Sequence, residues 1–202
     1  MKKSIIVVAS LLVVGALFLA GCQSKGDGEA NSEKVLRVGT EGTYSPFSFR
    51  DDNDKLTGYD VDVAKAVAKK INYKVKFVEA PWDSMLAAFD ANKSDGIFNQ
   101  VSITPERKEK YLFSTPYSVS HPALIVNKDN NEIKDFADLK GKTSAQSLTS
   151  NYAQMAEDLG AEISSVDGFS KAVELVGDNR ADATLNDDVT YYDYLNQKPN
   201  AP

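Results

Sequence analysis

Arg107 is the side chain of this sequence whose type and setting best suit the capture of an anion. It closes the run Asn99-Gln100-Val101-Ser102-Ile103-Thr104-Pro105-Glu106-Arg107, and Phe113-Ser114-Thr115-Pro116-Tyr117 follows closely. Thr104, Pro105 and Glu106 spell a helix start: an N-cap hydroxyl, a proline at the first helical position, and an acid in the first turn. Gly96-Ile97-Phe98 reads as the end of a buried strand. Such a strand delivers the polar side chains of Asn99, Gln100 and Ser102 to an edge, beside a helix N-terminus and a guanidinium. Hydrogen-bond donors grouped with a planar guanidinium fork suit a carboxylate. A solvated surface arginine accounts for the same residues, because arginines are mostly exposed.

The elements that must position these groups alternate strand with helix. Residues 35–39 read as a first strand, followed by a loop over 40–49 that ends in a short extended piece. Leu56-Thr57-Gly58-Tyr59-Asp60 leads into a helix with Val63, Ala64, Val67 and Ile71 at helical spacing and Lys65, Lys69 and Lys70 turned outward. Residues 74–79 form a strand, and Trp82-Asp83-Ser84 opens a helix with Met85, Leu86 and Phe89 on its apolar face. A strand over 96–100 precedes the run above. Residues 114–121, with Pro116 inside and Pro122 just after, carry no helical pattern and read as a crossover. Beyond it, strands are expected at 124–127, 143–145, 162–166 and 183–186. Helices are expected over 150–159, capped by Ser150 and stopped by Gly160, over 169–176 with Ala172, Val173 and Val176 inward, and through Tyr191, Tyr192 and Leu195. The alternation implies an α/β fold with mostly parallel pairing.

Composition narrows the function classes. The formal charge of −6 disfavours nucleic acid and anionic bilayers as partners of the folded surface. Asp51-Asp52-Asn53-Asp54 is acidic, but Lys55 falls at the fifth position and no glycine follows, so the calcium-loop pattern fails and a solvated turn is expected. His121 is the one histidine, without clustered partners, and no metal, cofactor or catalytic role is assigned to it. Cys22 is the one cysteine, so no internal disulfide can form.

The N-terminus offers a use for that cysteine. Lys2 and Lys3 precede an apolar run over 5–20 that is short for a membrane span. Leu19-Ala20-Gly21-Cys22 resembles a bacterial lipoprotein cleavage box, which implies a signal peptide over 1–21 and lipid attachment at Cys22. An ordinary signal peptide with an incidental cysteine is the other reading. Residues 22–33, rich in Ser, Gly, Lys, Glu and Asn, read as a flexible tether.

The 99–107 run and Phe113-Ser114-Thr115-Pro116-Tyr117 together resemble the carboxylate-clamping segment of the polar amino-acid-binding proteins of ABC importers. The resemblance is strongest to the L-cystine-binding branch. It implies the two-lobed type II periplasmic-binding-protein fold, with one lobe over 34–118, a second over 119–202, and a hinge crossover near 114–121. By the same comparison the family's C-terminal quarter, which returns to the first lobe, is absent. The resemblance places the ligand's α-carboxylate on Arg107 and its ammonium on Asp187, although Asp187-Asp188 also fits a plain helix cap, with Asp188 a substitute for the binding role. It assigns Thr149, Ser150 and Asn151 to the second lobe's carboxylate loop, where a helix cap is the other use, and Tyr44 and Trp82 to rings flanking the ligand. Asn99, Gln100 and Ser102 line the site, with Phe49 and Glu41 further candidates for the wall. The expected partners are a free amino acid, L-cystine foremost, and the permease subunits, with the protein a lipid-anchored extracytoplasmic monomer. Two rivals stay open: a dehydratase-like enzyme on the same fold, which would need a placed acid or base, and a ligand-sensing module.

Overall fold

Alternating apolar residues build the first sheet. The computed structural model describes residues 33–199 and 201, so the leader, Cys22 and nearly all of the tether lie outside the described residues. The first half contains β1 (Val35–Thr40), β2 (Thr43–Tyr44), β3 (Ser48–Arg50), β4 (Leu56–Thr57), α1 (Tyr59–Lys70), β5 (Lys74–Glu79), α2 (Trp82–Asp90), β6 (Gly96–Ile97) and α3 (Pro105–Lys108). In β5, Lys74 and Lys76 point to solvent while Val75 and Phe77 turn inward, the period of a half-buried strand. β1 runs parallel to both β5 and β6, giving the order β5-β1-β6. A small antiparallel sheet, β2-β3-β4, occupies what reads from sequence as loop.

Two expectations are corrected here. The strand at 96–100 ends at Ile97, because Gln100 adopts a left-handed backbone (φ 49°) that turns the chain out of the ladder. The face of α1 is rotated: Asp60, Val61, Ala64 and Ala68 are buried, whereas Val67 and Ile71 are exposed. Anchoring at the helix start decides this. Gly58 (φ 122°) passes so close to Phe47 that a Cβ would sit 2.4 Å from the Phe47 carbonyl oxygen, and the N–H of Asp60 donates to that same oxygen at 2.9 Å. Asp60 is thereby turned into the core, and the rest of the helix follows at 3.6 residues per turn.

Residues 114–121 form no regular element. The second half contains β7 (Pro122–Val126), a 3-10 turn (Phe136–Leu139), β8 (Thr143–Gln146), α4 (Asn151–Asp158), β9 (Glu162–Ser165), α5 (Phe169–Gly177), β10 (Ala183–Asp187) and α6 (Asp188–Gln197). The sheet order is β7-β10-β8-β9, with β7 antiparallel to β10 and the rest parallel. Ile133, Leu139, Ala156, Ala161, Ala183 and Leu185 form one core cluster. Ile125, Phe169, Val173 and Tyr194 form another. Burial of each large apolar side chain contributes about 1.5–3 kcal/mol. The two sheets thus belong to two α/β lobes, one on each side of the crossover. In sheets of this kind, ligands bind beyond the carboxyl ends of the strands. Those ends carry Glu41 after β1, Asn99 after β6, Ser147 after β8, and Asp187 at the end of β10.

Candidate ligand-binding site

The carboxyl ends of both sheets face one cavity, which contains about 540 Å³ free of protein atoms, partly continuous with solvent. Glu41, Tyr44, Trp82, Asn99, Gln100 and Ser102 line it from the first lobe, and Ser150, Asn151, Tyr152 and Asp187 are among those lining it from the second. No lysine, arginine or histidine is among the lining residues.

Asp187 sits at the N-cap position of α6, yet its side chain makes no capping hydrogen bond. Its carboxylate instead accepts from Ser120 Oγ at 2.5 Å and Tyr152 Oη at 2.6 Å, and Tyr44 Oη lies 2.6 Å from its other oxygen. Tyr44 is also 2.6 Å from Asn186 Oδ1, so its single proton is shared between the two acceptors. Burial, with the Asp187 charge beside it, drives the Tyr44 hydroxyl well above its ordinary pKa. Asp187 is 5% exposed, and no cation pairs with it among the described residues. A buried carboxylate held only by neutral hydroxyls keeps its charge uncompensated. Asp188, the alternative from sequence, turns away: it accepts from the N–H groups of Val189 and His121.

Arg107 lies at the rim. Thr104 caps α3 by accepting from the Arg107 N–H at 3.2 Å, and Pro105 takes the first helical position. The guanidinium stands 5.5 Å from the Trp82 ring centroid, a cation–π arrangement. It donates to the carbonyl of Ser102 at 3.1 Å and, across the cleft, to the carbonyl of Thr149 at 3.1 Å, with Asn151 Oδ1 at 3.5 Å. No carboxylate pairs with it among the described residues. Burial lowers its pKa, but a guanidinium keeps its proton.

Asp83, a site residue that sequence reasoning missed, bridges the same cleft. From the first turn of α2 it accepts from Thr149 N–H at 2.9 Å, Thr149 Oγ at 2.8 Å and Leu148 N–H at 3.3 Å. Ser150 caps α4 by accepting from the Ala153 N–H at 2.9 Å.

The remaining first-lobe candidates are largely committed to bracing one another. Asn99 Oδ1 accepts from the Glu41 N–H at 2.8 Å, and Asn99 Nδ2 donates to Glu41 Oε2 at 2.7 Å. Gln100 donates through its backbone N–H and its side chain to the buried Asp60, at 2.8 and 2.7 Å, and accepts from Ser118. Tyr117 also donates to Asp60 at 2.9 Å, tying α1 to the crossover. Burial raises the Asp60 pKa against the pull of these donors. Burial likewise pushes the Glu41 carboxyl up to about 7; the Asn99 donor opposes the rise, and the charges of Asp167 and Asp83 add to it. Phe49 is not brought to the cavity. It belongs to β3, paired with Thr43 and Thr57. Tyr152, Ser120, Asp83 and Asp167 were legible only as ordinary helix, crossover and loop residues, because their partners are remote in sequence.

The model of the bacterial extracellular solute-binding proteins, family 3, matches residues 36–197. A probable amino-acid ABC transporter-binding protein of Haemophilus influenzae is 44% identical over 203 residues, covering 100% of this chain and 78% of that protein. The L-cystine-binding protein TcyA of Bacillus subtilis is 44% identical over 212 residues, covering 99% of this chain and 79% of that protein. The structure of an ancestral arginine-binding protein bound to arginine matches with a TM-score of 0.77 at 40% identity, over 83% of this chain and 76% of that one.

Proposed function

The chain belongs to the bacterial extracellular solute-binding proteins of family 3, and we propose that it is an extracytoplasmic receptor that encloses one amino acid, L-cystine foremost, and delivers it to an ABC permease. The observation that carries this reading is the pairing of an uncompensated buried carboxylate, Asp187, with a guanidinium at the rim of the same cavity. A free amino acid brings an ammonium for the first and a carboxylate for the second. Desolvating both charges is favourable only where fixed opposite partners await them.

In this reading Arg107 takes the α-carboxylate together with the Thr149 N–H, from which the ligand displaces Asp83, with Asn151 and Ser150 beside them, and Asp187 takes the ammonium. Trp82 and Tyr44 cover the side chain with ring surface. The lobes supply different contacts to one ligand, so binding favours closure through its higher affinity for the closed arrangement. Binding without turnover is the activity proposed. Cys22 carries the lipid that holds a monomeric receptor at the membrane, and two acyl chains make such anchoring stable.

Calorimetric titration of the purified chain against L-cystine, arginine, histidine and glutamine tests the reading. Binding of L-cystine that is lost in Arg107→Ala supports it. A folded sample that binds none of these amino acids overturns it.

A further inference from the structure

The cavity continues past the amino-acid clamp into the second lobe. Thr184 lines it and stands three residues before Asp187 on β10, about 10 Å deeper at the rise of a strand. Gln146, which closes β8 and touches Thr184, lines it too. Gly168, Phe169 and Ala172 line it from the start of α5. Small residues make room there: a Cβ on Gly168 would meet nothing within 4 Å, and Ala172 is buried. Phe169 adds a ring as wall. An apolar recess with few polar groups is the composition of a pocket for a side chain.

One polar atom in this recess is left without a partner. Gln146 is 3% exposed. Its Nε2 donates to Ser144 Oγ at 3.1 Å and to Thr184 Oγ1 at 3.4 Å. The Thr184 hydroxyl directs its own proton to the Ala145 carbonyl at 2.8 Å. It can therefore only accept from Gln146, so the amide nitrogen is the atom that faces it. The carbonyl Oε1 remains, and no donor reaches it among the described residues. A buried acceptor without a donor costs free energy, which a donor entering the cavity offsets.

We infer that Gln146 Oε1 is a specificity element of the receptor: it accepts a hydrogen bond from an N–H or O–H group on the ligand's side chain, which reaches it through the recess between β8, β10 and α5. This rests on the receptor reading and deepens it: among amino acids of equal length, those whose side chain ends in a donor are selected over isosteres that end in a methyl group. A site with a buried polar partner rejects the analogue that lacks its complement, because the partner is then left unpaired.

The test compares S-(2-hydroxyethyl)-L-cysteine with S-propyl-L-cysteine, which differ by a hydroxyl in place of a methyl, by calorimetric titration of the purified chain. The expected result is a preference of about tenfold or more for the hydroxyethyl compound. Gln146→Met, similar in length and without the acceptor, should bring that ratio towards one. A full preference retained by a folded Gln146→Met sample gives the hydroxyl another partner and overturns the role of Gln146. Equal affinity of the unmodified protein for the two compounds, or binding of L-cystine but of neither, overturns the recess as a donor-reading subsite and leaves the receptor reading standing. Failure of a folded sample to bind either compound or any amino acid overturns both.

Discussion

Asp83 and Thr149 meet across the cleft, with the carboxylate of one accepting both the backbone N–H and the hydroxyl of the other at 2.9 and 2.8 Å. Arg107 grips the same residue from its far side through the Thr149 carbonyl at 3.1 Å. Thr149 is therefore held at its N–H, hydroxyl and carbonyl by the opposite lobe. The N–H proposed for the ligand's carboxylate is filled by the chain's own carboxylate.

That latch predicts a shift in the free protein. Asp83→Ala removes charge-assisted bonds that exist only when the lobes are together. The open arrangement should gain about 1–2 kcal/mol relative to the closed one. Small-angle scattering of the ligand-free protein should then report a larger radius of gyration for the variant. An unchanged radius would show that other contacts, such as Tyr44 to Asp187, hold the lobes together without it.

Arg107 acts as a fork, and lysine does not replace a fork. Its guanidinium already reaches two acceptors in different lobes, the Ser102 and Thr149 carbonyls. Arg107→Lys keeps the charge but not the planar geometry. Both Arg107→Ala and Arg107→Lys should weaken L-cystine binding, the alanine variant by about a hundredfold or more. Equal affinity of the lysine variant and the parent in a calorimetric titration would assign Arg107 a role of charge alone.

Asp187→Asn separates binding from folding. The native carboxylate is buried with hydroxyl donors and, among the described residues, no counter-cation. An amide removes the uncompensated charge and still offers an acceptor oxygen, so the ligand-free Tm should not fall. Ligand affinity should drop by about tenfold to a hundredfold, because the ammonium loses its charged partner. A Tm that falls sharply while affinity holds would make Asp187 a structural residue.

Local signals survive translation into structure where their partners are local. The Thr104-Pro105-Glu106 start and the Ser150 cap were legible because each cap spans three residues. The strand read at 74–79 is β5, and the succession of strands and helices pointed to the parallel pairing that the first sheet has. Asp187 shows where such reading stops. Its neighbours spell a helix cap, and only the remote Tyr44, Ser120 and Tyr152 turn its side chain into the cavity. The same holds for Asp60, which a surface helix would expose but which Gln100 and Tyr117 draw inward. Asp83 and Thr149 lie 66 positions apart, and no spacing rule relates them.

Glu41 makes the stability of the free protein depend on pH near neutrality. Its carboxyl rises from an ordinary 4.5 to about 7, first through burial, against the Asn99 donor, and with Asp167 and Asp83 adding repulsion. Between those values the folded protein holds a proton that the unfolded chain has released, so stability falls as pH rises through that window. The contribution is fully present below about 4.5 and is lost as pH rises through about 7. The ligand-free Tm should therefore decline across this range, and Glu41→Gln should flatten the decline. Asp60, also raised by burial, leaves a residual slope in the variant.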